Sequence, residues 1–126
     1  METKKFKYLF SVGIVNMEKE LIENIKKLKG SADLIYNNKD FTSATILYFK
    51  LCFSVLDLII LKSKGETPKD HNERFRMLEK EFPELYTFLD KYFDIYRDTY
   101  NSTTDKESCD KIKHGIEKIM AEHKIP

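Results

Sequence analysis

The amino-acid sequence predicts an all-α fold, an antiparallel up-and-down bundle of about five helices, and three observations carry that expectation. No segment alternates apolar and polar residues as a half-buried strand would. Apolar residues recur instead at steps of three and four along most of the chain. Between these stripes stand the residues that stop and start helices: Gly65, Pro68, Pro83 and small clusters of Asp, Asn and Thr.

Leu21, Ile25, Leu28, Ala32 and Ile35 form the first stripe, opposite Glu18, Lys19, Glu23, Lys26 and Lys27, which predicts a helix over about residues 18–36. Asn37, Asn38, Lys39 and Asp40 supply turn and N-cap residues, and a second helix follows to about Ser63, stopping before Gly65. Thr67 as N-cap, Pro68 in the first turn and Asp70 three residues after the cap predict a third helix with Phe75, Leu78 and Phe82 on its apolar face. Pro83 ends that helix near Glu81 and opens a fourth, striped by Leu85, Leu89, Tyr92 and Tyr96. Thr104 and Glu107 make a capping box for a fifth helix carrying Ile112, Ile116 and Ile119.

A chain of 126 residues fits one domain that buries a real core without disulfides or metals. With 22 Lys and Arg against 21 Asp and Glu the net charge is +1, so no global field draws it to nucleic acid or acidic membranes, and any such contact is local. Cys52 and Cys109 each lie in an apolar helical pattern and are expected as buried thiols in a reducing compartment. The start, TKKFKYLFSVGIV, has the basic-then-apolar outline of a signal peptide, but Ser11 and Gly13 interrupt it and no small-x-small site follows before NMEKE. The expected organisation is an N-terminal extension at 1–16 and a helical domain at 17–126, in a cytoplasmic protein without membrane association. Ala44–Leu61 approaches spanning length but contains Lys50 and Asp57, so it is expected as a buried core helix. The three histidines, 71, 114 and 123, share no helix face, and no phosphate loop or nucleophile elbow is present, so no metal and no cofactor is expected.

The second helix is apolar almost all round, and its exceptions align. Ser43, Lys50, Ser54 and Asp57 fall within a sector of roughly 60°, as expected of a polar groove or an interface. On the fourth helix Arg97 lies about 100° from the apolar stripe, with Asn101 beside it. Paired with Asp94, three residues earlier, Arg97 is a surface charge. Facing Asp57 and Ser54 across a groove, Arg97 and Asn101 could hold a phosphate, with Tyr96 or Tyr100 as a stacking face. His71, on the side of Phe75 and Leu78, is expected as a partly buried, hydrogen-bonded structural histidine.

The stretch FKLCFSVLDLIILKSKGETPKDHNERFRMLEKEFPELYTFLDKYFDIYRDTYN resembles the HEPN superfamily, over about residues 17–121. The resemblance rests on the long central helix with its embedded Asp57, on the helix start at His71 to Phe75 after a Gly-containing loop, and on the late helix that ends in Tyr96, Arg97, Asp98 and Tyr100. It implies a five-helix bundle that dimerises so that the late helices form a cleft. Active members are metal-independent endoribonucleases using an arginine, a polar residue next to it, and a histidine four to six residues further on. Arg97 and Asp98 match the first two positions; Ser102, Thr103 and Thr104 stand where the histidine would be, and the next histidine is His114. The resemblance therefore implies a homodimer that binds RNA, a nucleotide or a partner protein at the cleft, without full ribonuclease activity. Arg97, Asp98, Asp57, Lys50, Ser54, Asn101 and Tyr100 are the candidate ligand contacts. Two alternatives stay open: an endoribonuclease toxin, and a structural partner of a small nucleotidyltransferase in a toxin-antitoxin pair.

Overall fold

The computed structural model describes residues 2–126, with side chains from Val12 onward. It holds five helices in an all-α bundle: α1 (Glu2–Asn37), α2 (Phe41–Lys64), α3 (His71–Glu81), α4 (Pro83–Asp98) and α5 (Lys106–Glu122).

Each boundary has a local cause. The Asp40 carboxylate accepts from the Ser43 N–H at 3.1 Å and starts α2. Gly65 ends it with φ 76°, a left-handed turn that suits glycine, and its N–H donates to the Leu61 carbonyl. At α3 the expected cap is displaced: Asp70, not Thr67, accepts from the Glu73 N–H at 2.8 Å, and Glu73 accepts in return from the Lys69 N–H at 3.3 Å. A full negative charge at the N-terminus outcompetes a hydroxyl, so Pro68 stays in the loop. The same substitution occurs at α5, where Asp105 caps by accepting from the Ser108 N–H at 2.8 Å. Thr104 instead donates its N–H to Thr42 Oγ1 at 2.8 Å, which ties the preceding loop to the start of α2.

The first helix is longer than its stripe predicted. It begins at Glu2 and passes through residue 17 without a break: residues 8–15 contain no proline, and the one large helix penalty there is at Gly13, about 1 kcal/mol relative to Ala. How the side chains of the first eleven residues are arranged lies outside the described residues.

The core is built around α2. Ala44, Tyr48, Phe49, Leu51, Cys52, Val55, Leu56 and Ile60 are fully buried on it, which is why so apolar a helix is stable inside this fold. Ile25 and Ala32 of α1, Leu89 of α4, and Cys109, Ile112 and Ile116 of α5 pack around it, and both cysteines are buried free thiols. At Gly115 a Cβ would run into the Phe88 ring, so glycine lets α4 lie close on α5.

Where α1 faces α5 the contact is polar. Lys29 Nζ reaches Asp33 at 2.9 Å and Glu117 at 3.2 Å, and the Tyr48 and Tyr36 hydroxyls donate to Asp33 and Asp110, each at 2.5 Å. Burial pushes the Asp33 carboxyl up, but the bonds from Tyr48 and Lys29 outweigh it and hold the group below its usual range. By contrast, among the described residues no hydrogen bond or ion pair joins α1 to α4. Lys50 is the one exposed residue of α2 between Phe41 and Leu61.

Candidate binding site on the second helix

The aligned polar residues of α2 do not share one groove. Ser54 is buried and accepts from Asn24 Nδ2 of α1 at 3.4 Å. Ser43 is half-buried in the first turn, where its backbone N–H donates to the Asp40 cap. Lys50 is exposed and belongs to none of the ion pairs among the described residues.

Asp57 is answered from α3. Arg74 Nε donates to Oδ1 at 2.8 Å and Nη2 to Oδ2 at 3.0 Å, a two-pronged ion pair in which Arg74 is only 8% exposed. The guanidinium carbon stands 4.9 Å from the centre of the Phe53 ring. A third bond joins Arg74 Nη1 to His71 Nδ1 at 2.7 Å. A guanidinium has donors only, so Nδ1 must accept, and the imidazole is neutral with its proton on Nε2. Burial and then the Arg74 charge push the His71 pKa below its ordinary value. The ring packs at 4.6 Å from Phe53, 5.5 Å from Phe93 and 6.2 Å from Tyr96. His71 is thus hydrogen-bonded as expected, but the residue as a whole is exposed rather than partly buried. On its other side Asp57 opens to a groove of about 440 Å³, lined also by Met17, Glu20, Leu21, Asn24 and Thr67.

Arg97 does not reach Asp57. Its side chain is 66% exposed and bonds Asp94 of the same helix, itself 73% exposed. The buried direction of α4 is set by Leu85, Leu89 and Tyr96, and Arg97 stands about a quarter turn away from it. The space it would have to cross is filled, since His71, Phe93 and Tyr96 crowd the Phe53 ring between the two helices. Asp98 ends α4 on the surface and accepts from Ser102 through its carbonyl. Asn101 and Tyr100 lie in the turn beyond, both exposed, with the Tyr100 hydroxyl 3.2 Å from that of Tyr96. That bond and partial burial push the Tyr96 phenol up to about 12.

The structure therefore brings Asp57 into a polar centre, leaves Lys50 and Tyr100 on open surface, and keeps Arg97, Asp98 and Asn101 in solvent. The residues that complete the centre, Arg74 and His71, are not among those predicted. A signal for them was present: Arg74 stands four residues before Leu78 at an otherwise apolar stripe position of α3, as Asp57 does on α2, and two lone opposite charges in apolar stripes need each other. No family model, curated protein or solved structure matches this chain.

Proposed function

We propose that this protein is a helical binding module of HEPN-like type, acting as a homodimer, that holds RNA or a nucleotide through the exposed Lys50 of α2 and Tyr100 beyond α4 without cleaving it. The observation that carries the reading is how the polar groups are divided between committed and free. Arg74 is committed to Asp57 and His71, and His71 is committed to Arg74. In that tautomer His71 Nε2 can donate a hydrogen bond but neither accepts nor releases a proton near neutral pH, so it is a poor acid or base. The Tyr96 phenol, pushed up to about 12, is no better. The free groups are of binding type. Lys50 is an exposed cation in no ion pair among the described residues, and on the neighbouring face of α2 the buried Phe49 ring lies 5.2 Å from Tyr96. Tyr96 and the 73% exposed Tyr100 follow at 5.8 Å. A cation for phosphate beside rings for bases is the usual combination for a single strand or a nucleotide.

The test is a titration of the full chain with RNA oligonucleotides and mononucleotides, with gels run on the same samples. Binding that weakens with salt and leaves the RNA intact is expected, with Tyr100→Ala costing about 1–3 kcal/mol for one lost stack. Cleavage that disappears in His71→Ala would overturn the reading in favour of a ribonuclease.

A further inference from the structure

His71 keeps one of its ring nitrogens unused. Nδ1 accepts from Arg74 Nη1 at 2.7 Å, which leaves the proton on Nε2, and Nε2 bonds nothing among the described residues. With Nδ1 turned in to a guanidinium whose residue is 8% exposed, and His71 itself exposed, the Nε2–H edge faces outward. The donor is also held still. Asp57 grips Arg74 at 2.8 and 3.0 Å, so the guanidinium that orients the imidazole cannot turn. Phe53, Phe93 and Tyr96 hold the ring itself, with centroids 4.6, 5.5 and 6.2 Å away. Satisfying Arg74 alone does not call for this. A hydroxyl or an amide carbonyl accepts from a guanidinium as well, without setting a second, rigid donor at the surface.

We propose that the His71 Nε2–H is the donor that meets the base of a bound nucleotide, with Arg74 and Asp57 as the residues that position it. This rests on the nucleotide binding proposed above and adds the atom that contacts the base. Tyr96 neighbours both the donor and the exposed Tyr100, 6.2 Å from the one ring and 5.8 Å from the other. The His71 ring stands at 65° to that of Tyr96, so a base lying parallel to Tyr96 turns its edge, where its acceptor atoms are, toward the imidazole. Charge separates base from phosphate. The charges acting on His71 are Arg74 and Asp57, which offset each other, and Asp70, the carboxylate that caps α3. An uncharged acceptor is favoured there over a phosphate oxygen. Lys50, exposed and three residues before Phe53 on α2, borders the same aromatic cluster and takes the phosphate.

The test is a titration of the full chain with oligouridylate, oligoadenylate and an abasic strand of equal length. His71→Phe keeps a ring among Phe53, Phe93 and Tyr96 but has no donor, and should weaken the two base-bearing strands about five- to tenfold, the worth of one hydrogen bond, while leaving the abasic strand unchanged. His71→Gln, whose amide accepts from Arg74 and donates outward, should keep most of the affinity. Nitrogen NMR of the wild type at neutral pH should show Nε2 protonated and Nδ1 bare. In the double variant Asp57→Leu with Arg74→Met the tautomers should mix, with the base-bearing strands weakened about twofold or more because only part of the population presents the donor. Full affinity in His71→Phe overturns this inference and leaves the proposed function standing, whereas a wild type that binds no strand fails the function itself. Equal losses for base-bearing and abasic strands put the donor on the phosphate and overturn the assignment to the base. Losses that follow a lowered melting temperature and are not restored by glutamine reduce His71 to a structural role.

Discussion

Arg74 and Arg97 both bond an aspartate, but Arg74 takes its partner from another helix and Arg97 from its own, three residues back. Arg74 enters at a position where α3 meets an acid already enclosed by α2, so leaving the pair unmade would strand two charges in a poorly hydrated place. Arg97 has no such constraint, and its local partner is solvated with it. The difference teaches that an arginine's neighbours by type say little about its role. What decides is whether a second element closes over the pair.

Of the two arginines, Arg74 carries the larger expected effect, which follows from that closure. Arg74→Ala leaves Asp57, whose side chain is 16% exposed, unpaired at the edge of its groove, and should lower unfolding free energy by up to about 3 kcal/mol in denaturant titration. The double variant Asp57→Leu with Arg74→Met should recover most of the loss, because no charge is left behind. If the single variant costs under about 1 kcal/mol, the two arginines are not different in kind.

The register of α2 beneath the pair can be checked independently. Leu51 is fully buried, and Leu51→Ala should cost roughly 2–5 kcal/mol, while Lys27→Ala on the exposed face of α1 should change the melting curve hardly at all. Equal melting of the two would put α2 in the wrong rotation and remove the basis for placing Asp57 against α3.

A smaller effect separates the two sites by pH. The folded-state pKa of His71 is lowered, so the unfolded chain takes up a proton there first as pH falls. The contribution of neutral His71 is therefore fully present above the unfolded value near 6.5 and is lost as pH drops through the lowered folded value. His71→Gln keeps an acceptor for Arg74 but cannot titrate, and should flatten the fall in stability of the wild type as pH drops below the unfolded histidine value. Asp33 and Asp110, held low by their own bonds, lose their contributions further into acid and leave this window clear. An unchanged slope in the glutamine variant would mean that the imidazole is not held by Arg74.

Much of the fold was legible because its signals are local. The Asp40 cap, the Gly65 stop and the Pro83 start each act within a turn, and the stripe of α5 falls on buried residues while that of α4 is buried at Leu85 and Leu89 and half-buried at Tyr92 and Tyr96. The caps at α3 and α5 were missed by a few residues or one because hydroxyl and carboxylate candidates stood close together and charge decided between them. The site was only half legible. Helical geometry aligned Ser43, Lys50, Ser54 and Asp57 correctly on α2, but alignment on one helix does not say which neighbour covers each position. Here α1 takes Ser54, α3 takes Asp57, and Lys50 is left open. Arg97 on the fourth helix resembles a functional arginine in the sequence, but the cation that meets Asp57 is Arg74 of α3, which breaks an apolar stripe.

The smallest expected effect is the most discriminating, since it concerns the residue that resembled a functional arginine. Arg97 and Asp94 form an exposed pair within one helix, a class whose Coulomb gain is nearly offset by side-chain entropy and screened by salt. Arg97→Ala should cost well under ~1 kcal/mol, and less still at high salt. In a double-mutant cycle Asp57 and Arg97 should show coupling within about 0.5 kcal/mol of zero, whereas Asp57 and Arg74 should couple by more than about 1 kcal/mol. The same comparison extends to the ligand. If α2 binds through Lys50 and the rings of Tyr96 and Tyr100, then Lys50→Ala weakens RNA binding and lowers its salt dependence, and Arg97→Ala leaves both nearly unchanged. Equal losses from the two would mean that the surface around Arg97 joins the binding face through an approach of the nucleic acid rather than through any contact with Asp57.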